Sequence, residues 1–340
     1  MGVSLKHVAR LAGVSPATVS RVVRGERYVS SSTRQKVLDA IEELNYRPNS
    51  LARSMKQQRA NAIGIIVPDI SNSFFSTLTR GVQHYARKLG FDTLIYDTAG
   101  DPARELVGLS LLLSRRIDGA ILGTERVDFT GIPETLAKDA SIVLVHNMAK
   151  GIEADFVATD NALGARMAVE YLLSLGHRRI GLITGPRCQS CAIERQHGYI
   201  EALLNASLEV DSRLVRHGDF DLLSGYQLAN VLLDLDRPPT ALFVADCRMT
   251  VGALRALRER ETRVPEQVAI ASFDDVENSF LSYAPVTAVI QPTIEIGQKA
   301  AELVIRRVCA QNKPQRQTLR LRPGLIIRGP IVGPPPDEGV

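Results

Sequence analysis

Four cysteines in 340 residues are too few for a disulfide framework and fit a reducing cytoplasm. The chain does not open on a charged start followed by an apolar run, so no secretory signal is expected. No stretch approaches the roughly 20 apolar residues that a membrane helix needs. Catalytic signatures are missing too: there is no Gly-x-Gly-x-x-Gly, no P-loop and no Gly-x-Ser-x-Gly elbow. The six histidines (7, 84, 146, 177, 197 and 217) never pair at metal-ligand spacing. Cys188-x-x-Cys191 has the form of a redox or zinc half-site, or of two small loop residues, and neither Cys247 nor Cys309 supplies a second pair. The expectation is a cytoplasmic protein that is not an enzyme, with no metal, no cofactor and no membrane contact.

What is present is an ordinary globular composition, 45% hydrophobic and 23% charged, with its charge unevenly placed. Residues 1–59 hold eleven Lys/Arg against four acids, an excess of seven positive charges in a chain whose net charge is only +4. A basic head on a slightly acidic body is the footprint of a nucleic-acid binder, or, more plainly, a solvated basic surface.

The head is punctuated as short helices. Ser4 can cap a helix from Leu5 to about Leu11 that turns Leu5, Val8 and Ala9 inward. Gly13 supplies a tight turn, Ser15-Pro16 restarts the chain as N-cap and first helical residue, and the second helix runs to about Val23. A third follows Ser30 to about Leu44, with Val37, Ala40, Ile41 and Leu44 at helical spacing. This order is a helix-turn-helix, whose second helix lies in the major groove. Arg21 suits bidentate reading of a guanine, and Pro16 and Ala17 offer apolar contact to a thymine methyl. Ser15 sits at the same exposed edge, while Thr18, Ser20, Arg24 and Tyr28 suit phosphates. After Pro48, a helix begun at Asn49 is too short to stand alone in water, and DNA is the obvious agent to order it.

From Asn61 onward, apolar strands alternate with helices, the pattern of parallel α/β layers. Strands are expected near Ile63–Val67, Phe91–Tyr96, Gly119–Leu122 and Ile142–Val145, and a second set near Arg179–Thr184, Ala241–Ala245 and Val268–Phe273. The chain returns near Val289–Gln291, and a helix from Ile294 to Ala310 packs on the first lobe. Two such lobes enclose a cleft, and ligands of open α/β sheets sit beyond the strand carboxyl ends. Those ends carry Phe74, Phe75, Asn147, Asp160, Asp246 and Asp274, with Arg195 on a nearby helix and Gln291 on a crossing segment. Carboxylates and a guanidinium beside an aromatic wall suit a small polyhydroxylated ligand. Each Asp can equally be the cap of the next helix.

Gly13-Val14-Ser15-Pro16-Ala17-Thr18-Val19-Ser20-Arg21-Val22, with Val29-Ser30, Thr33-Arg34, Tyr46-Arg47-Pro48-Asn49 and Ala52-Arg53-Ser54, resembles the head of the lactose/galactose repressor (LacI/GalR) family. Gly176-His177-Arg178-Arg179-Ile180 and Ser272-Phe273-Asp274-Asp275 extend the resemblance over nearly the whole chain. It implies a small all-α helix-turn-helix head (residues 1–48), a hinge helix or linker (49–60) and a two-lobed, periplasmic-binding-protein-like α/β sensor and dimerisation domain (61–328). The tail, 329–340, carries Pro334-Pro335-Pro336 and is expected to be disordered. The resemblance further implies a homodimer on a pseudo-palindromic operator in double-stranded DNA, repressing carbohydrate genes under a sugar or sugar-acid effector. Leu51, Ala52, Met55 and Lys56 would lie on a hinge helix that folds on DNA, with Met55 in the minor-groove wedge position where relatives carry leucine. Phe74, Phe75, Asp160, Arg195, Asp246, Asp274 and Gln291 fall on positions that touch effector in relatives.

Two departures stand out. Arg24 replaces the usual asparagine after the recognition helix, and Arg248 stands where relatives often carry a shorter or neutral group. Arg248 beside Arg195, with Arg187 nearby, favours an anionic effector such as gluconate or 2-ketogluconate, unless Arg248 merely faces solvent. The tail lacks the leucine heptads that tether a few family members into tetramers, so a dimer is expected. A periplasmic solute receptor, whose lobes look alike, and a sugar-modifying enzyme are the rival readings; the basic head and the missing catalytic set argue against them.

Overall fold

The computed structural model describes residues 4–23, 28–46, 60–114, 117–125, 127–130, 141–276, 286–312, 314–328 and 333. Arg24, Leu51, Ala52, Met55 and Lys56 lie outside these residues, as do nearly all of the expected linker and, but for Gly333, the tail. The chain divides into two compact units, Met1–Ala60 and Asn61–Val340.

Among the described residues, the first unit holds three helices: α1 (Leu5–Leu11), α2 (Pro16–Val23) and α3 (Ser31–Glu43). Their ends follow from side-chain chemistry. Ser15 Oγ accepts the Thr18 N–H at 3.1 Å and Ser30 Oγ accepts the Thr33 N–H at 3.3 Å, satisfying donors that a helix start leaves orphaned. Gly13 turns the chain at φ +65°, a conformation that costs other residues. Val8, Ala9, Val19, Val22, Val37, Ala40 and Tyr46 bury together as the core, with Leu5, Ile41 and Leu44 only partly covered against it.

The second unit holds two six-stranded sheets. The first contains β1 (Ala62–Val67), β2 (Asp92–Asp97), β3 (Gly119–Gly123), β4 (Ser141–Val145), β5 (Asp155–Thr159) and β11 (Thr318–Leu321). Its order is β11-β5-β4-β3-β1-β2, parallel throughout. The second contains β6 (Ile180–Thr184), β7 (Val215–His217), β8 (Ala241–Val244), β9 (Ala269–Phe273), β10 (Thr287–Ile290) and β12 (Gly324–Ile326). It runs β12-β10-β9-β8-β6-β7, with only β12 antiparallel. Helices α4 (Ser73–Lys88), α5 (Pro102–Ser114), α6 (Asn161–Ser174), α7 (Ser190–Asn205), α8 (Leu222–Leu233), α9 (Cys247–Glu259) and α10 (Thr293–Cys309) cover the faces. Strands buried on both sides are therefore predominantly apolar, as β1, β3 and β4 show.

The chain passes between the lobes three times: after β5 into α6, after β10 into α10, and between β11 and β12. Helix α10 buries Ile296, Ala300, Ala301 and Val304 in the first lobe's core beside Ile63, Ile65 and Val82, as the sequence leads one to expect. The approach of α10 to α4 is close: a Cβ on Gly81 would stand 2.3 Å from the Ile294 carbonyl, and one on Gly297 2.2 Å from that of Leu78. The parallel strands of both sheets point their carboxyl ends at the cleft, which places the loops after β1, β3, β4, β8 and β9 face to face.

Candidate functional site

Helix α2 presents Ser15, Pro16, Ala17 and Arg21 exposed on the first unit, with Thr18 and Ser20 half-buried. Tyr28, beyond the helix, is 97% exposed, an unusual state for an aromatic side chain and one that leaves it open to a partner.

In the second unit the cleft encloses about 430 Å³ between its walls, some of it open to solvent. Six of the nine effector residues expected from sequence line it: Phe74, Phe75, Arg195, Asp246, Arg248 and Asp274. Asn72, Glu125, His146, Gln189 and Phe220 complete the wall.

Arg195 is the centre of the arrangement. Only 1% of it is exposed, and its guanidinium carbon stands over the Phe273 ring, 3.7 Å from the centroid, with the Phe220 centroid at 5.9 Å. Nε donates to Asn161 Oδ1 at 3.0 Å and Nη1 to the Ala245 carbonyl at 2.6 Å, which fix the plane. Nη2 is buried and has no acceptor. A buried N–H of a cation left unpaired costs free energy that a ligand oxygen would recover.

Asp246 caps α9, accepting the N–H groups of Arg248 and Met249 at 2.8 and 3.0 Å. Burial pushes its carboxyl up to about 6, against the backbone donors that pull it down. Burial likewise raises Asp274, opposed by Arg195 and by Gln291, whose amide donates to both Asp274 oxygens at 2.8 and 2.9 Å. Glu125 is raised by the same cause. His146 packs on Phe74 and Phe75, with ring centroids at 4.9 and 5.5 Å; desolvation, with Arg195 adding, pushes it down to about 3, so it is a neutral wall.

The raised Asp246 carboxyl makes a measurable demand on the fold. Its folded value lies above its ordinary 3.8, so the folded chain holds this proton more tightly than the unfolded one. Stability is therefore lost as pH rises from about 4 through about 6. Asparagine caps a helix as well as aspartate, so Asp246→Asn should stabilise the empty protein at pH 7.5 by up to roughly 3 kcal/mol and by almost nothing at pH 4. Urea unfolding at the two pH values checks this; equal effects would show that desolvation of Asp246 is not what strains the empty site.

Three expected site residues stand outside the wall. Asp160 caps α6, its Oδ1 accepting the Leu163 N–H at 3.0 Å, the alternative its position left open. Asn147 ties the lobes instead of facing the cavity. Its Oδ1 accepts from Cys191 N–H at 3.1 Å and Ser190 Oγ at 3.3 Å, while its Nδ2 donates to the Thr124 carbonyl at 3.1 Å. Gln291 supports Asp274 from behind and accepts the Thr159 hydroxyl at 2.5 Å. Arg248 departs from the expectation in its pairing: Nη1 donates to Asp69 of the opposite lobe at 3.1 Å, and Arg187 is exposed and absent from the wall. With Arg248 paired to Asp69, Arg195 faces the carboxylates of Asp246 and Asp274, and Glu125 stands on the same wall.

Cys191 is buried 3.5 Å from His146 Nε2, and burial pushes its thiol up to about 12. Among the described residues no cluster of His, Cys, Asp and Glu could hold a metal ion, and no helix is long and apolar enough to cross a membrane.

Comparison with known proteins decides the family. Residues 4–49 match the bacterial regulatory proteins of the lacI family, and residues 169–330 a periplasmic binding protein-like domain. The ribose operon repressor of Haemophilus influenzae is 34% identical over 328 residues, 96% of this chain and 98% of the repressor. The chain belongs to the LacI family. The Escherichia coli transcriptional repressor CytR is 35% identical over 326 residues, 96% of this chain and 95% of its own. A complex of the regulator CelR with cellobiose shares 31% identity and a TM-score of 0.71 over 96% of this chain and 99% of that one. The lac repressor dimer bound to operator and an anti-inducer has a TM-score of 0.83 at 26% identity, over 98% and 100%. This LacI-family chain is a sequence-specific DNA-binding transcriptional regulator under the control of a small-molecule effector.

Proposed function

We propose that this LacI-family regulator is a cytoplasmic homodimeric repressor, without enzymatic activity, whose effector is a neutral sugar held between the lobes by Arg195, Asp246 and Asp274 against Phe74, Phe75 and Phe220. The observation that carries the effector class is the buried, acceptor-less Nη2 of Arg195 in a cavity where carboxylates outnumber uncompensated cations. Vicinal hydroxyls answer both needs, since each accepts from the guanidinium and donates to a carboxylate. A cavity of about 430 Å³ is at the small end of ligand sites and suits a ring or two. Relatives named for ribose and a neighbour holding cellobiose agree with a neutral effector. The gluconate-type effector that Arg248 suggests in the sequence loses its support once Arg248 pairs with Asp69.

On the DNA side, we assign residues 1–48 to operator reading and 49–60 to a hinge that orders in the minor groove around Met55. Ser15, Pro16, Ala17 and Arg21 face base edges; Thr18, Ser20, Arg24 and Tyr28 hold phosphates. The effector favours one closure state of the lobes and so shifts the population of the DNA-competent dimer.

Two measurements test the reading. A thermal-shift panel of neutral sugars, sugar acids and sugar phosphates should show stabilisation by neutral sugars, about 2.7 kcal/mol at 100 times the dissociation constant; stabilisation by sugar acids alone would overturn the effector class. Against a duplex recovered by in vitro selection, Arg21→Ala should lose about 1–3 kcal/mol of specific binding while affinity for random DNA holds. Equal loss on both duplexes would move Arg21 from base reading to phosphate contact.

A further inference from the structure

Neither thiol of the Cys188-x-x-Cys191 pair lines the effector cavity. Cys188 is exposed, in a turn closed by the Gln189 N–H donating to the Pro186 carbonyl at 3.1 Å. Cys191 is buried in the first turn of α7, where burial keeps it a thiol at neutral pH. An exposed thiol three residues ahead of a buried one is the arrangement in which an oxidant reaches the first and the second resolves the product.

The pair also sits where the lobes are tied together. Gln189, the N-cap of α7, is extended (φ −86°, ψ 130°), and its side chain makes no capping bond. The cap comes from the other lobe. Asn147, after β4, accepts the Cys191 N–H at 3.1 Å and the Ser190 hydroxyl at 3.3 Å, and donates to Gln189 Oε1 at 3.3 Å. The Met148 N–H adds a bond to Ser190 Oγ at 2.9 Å. As the helix stands, Cys188 precedes the N-cap and Cys191 is the second helical residue. Winding Gln189 into the helix makes Cys188 the N-cap and Cys191 the third residue. Side chains at these two positions meet, as the reciprocal bonds of a capping box show. That is the reach a disulfide needs, with Cα atoms about 4.4–6.8 Å apart. The same movement draws Gln189 away from Asn147 and out of the cavity wall that it lines.

We propose that Cys188 and Cys191 form a peroxide-responsive disulfide that loosens the tie between the lobes, a redox input separate from the effector. The Cys188 thiolate attacks one oxygen of hydrogen peroxide; the O–O bond breaks, hydroxide leaves, and Cys188 becomes a sulfenic acid. The Cys191 sulfur then displaces the sulfenic hydroxyl, which departs as water with the Cys191 proton. In sum, two thiols and one hydrogen peroxide give one disulfide and two waters, and exchange with a cellular thiol reverses the step. A transient disulfide of this kind is compatible with a reducing compartment.

The test uses full-length protein carrying Cys309→Ser, which removes the other exposed thiol, treated with hydrogen peroxide. Its intact mass should fall by two hydrogens, and peptide mapping should place the disulfide between Cys188 and Cys191. Affinity for the selected duplex should change at least about fivefold, the worth of roughly one hydrogen bond lost from the tie. Dithiothreitol should restore both mass and affinity. Cys188→Ser, at an exposed position, should fold normally and show neither the disulfide nor the change in affinity. Cys191→Ser should stop at a sulfenic acid on Cys188, which dimedone traps. A disulfide that leaves operator affinity unchanged would overturn the proposal. So would oxidation of Cys188 beyond the sulfenic acid with Cys191 still free, or a cross-link between two chains in place of the internal one.

Discussion

Arg195→Met should leave the regulator blind to its effector, with affinity reduced at least about 100-fold and DNA binding in the absence of effector retained. Hydrogen bonds to a charged group are worth about 1.5–3 kcal/mol each, and Arg195 has its free Nη2 to give to a ligand. Methionine fills the space over Phe273 but supplies no donor, so packing survives while recognition does not. The loss should exceed one bond, because Asp246 and Asp274 lose the cation that opposes their burial and rise further toward the neutral form. Lysine should not rescue: a point charge cannot reach Asn161 Oδ1, the Ala245 carbonyl and a ligand oxygen at once. Calorimetry with the sugar that best stabilises the wild type measures the effect. A fall of less than threefold would mean that the buried guanidinium is only a structural brace between α7 and β8.

Why Arg195 could be picked out from sequence while its surroundings could not is a matter of range. Local chemistry sets the helix starts: Ser15-Pro16 and Ser30 cap their own backbones a few residues on, so α2 and α3 begin where the side chains demand. The strand-end rule likewise leads directly to Asp246 and Asp274, because a parallel sheet can aim its loops only one way. The same rule applied to β3 points at Glu125, which nothing in its local pattern distinguishes from a solvated acid. Phe220 is harder still: it follows β7, a three-residue strand with half-exposed side chains, and reaches the cleft through a turn at φ +56°. Arg248 and Asp69 are 179 residues apart, and no periodicity connects them. The free cation expected at Arg248 is thus a paired one for a reason only the closed tertiary structure supplies. Strands β11 and β12 are short, half-exposed and carry little apolar pattern, so their places at the sheet edges are set by partners and not by composition.

Strand β11 is tied to a deeply buried ion pair, and Asp155→Ala should cost about 3–5 kcal/mol of stability in the second unit. Arg307 of α10 donates through Nε to Asp155 at 2.8 Å, with 7% and 1% of the two side chains exposed. Asp155 also accepts the Gln317 N–H at 2.7 Å, and Arg307 Nη1 donates to the Pro314 carbonyl at 3.1 Å. One carboxylate thus fastens the start of β5, the last helix and the approach to β11. Removing it strands a buried guanidinium, and that penalty exceeds the net worth of the pair, since desolvation offsets much of the attraction between the charges. The double variant Asp155→Leu with Arg307→Leu should therefore be more stable than Asp155→Ala alone, a comparison that chemical denaturation resolves. The consequence reaches the cleft, because Arg320 on β11 holds Glu194 of α7 through contacts of 2.5 and 2.7 Å across the lobes. If β11 slips when Asp155 is lost, effector affinity should fall along with stability, although no residue of the cavity wall has been touched. A single-site loss under about 1 kcal/mol, against the 3–5 expected for breaking a buried pair, would show that the strand is held by its backbone ladder with β5 and not by the ion pair.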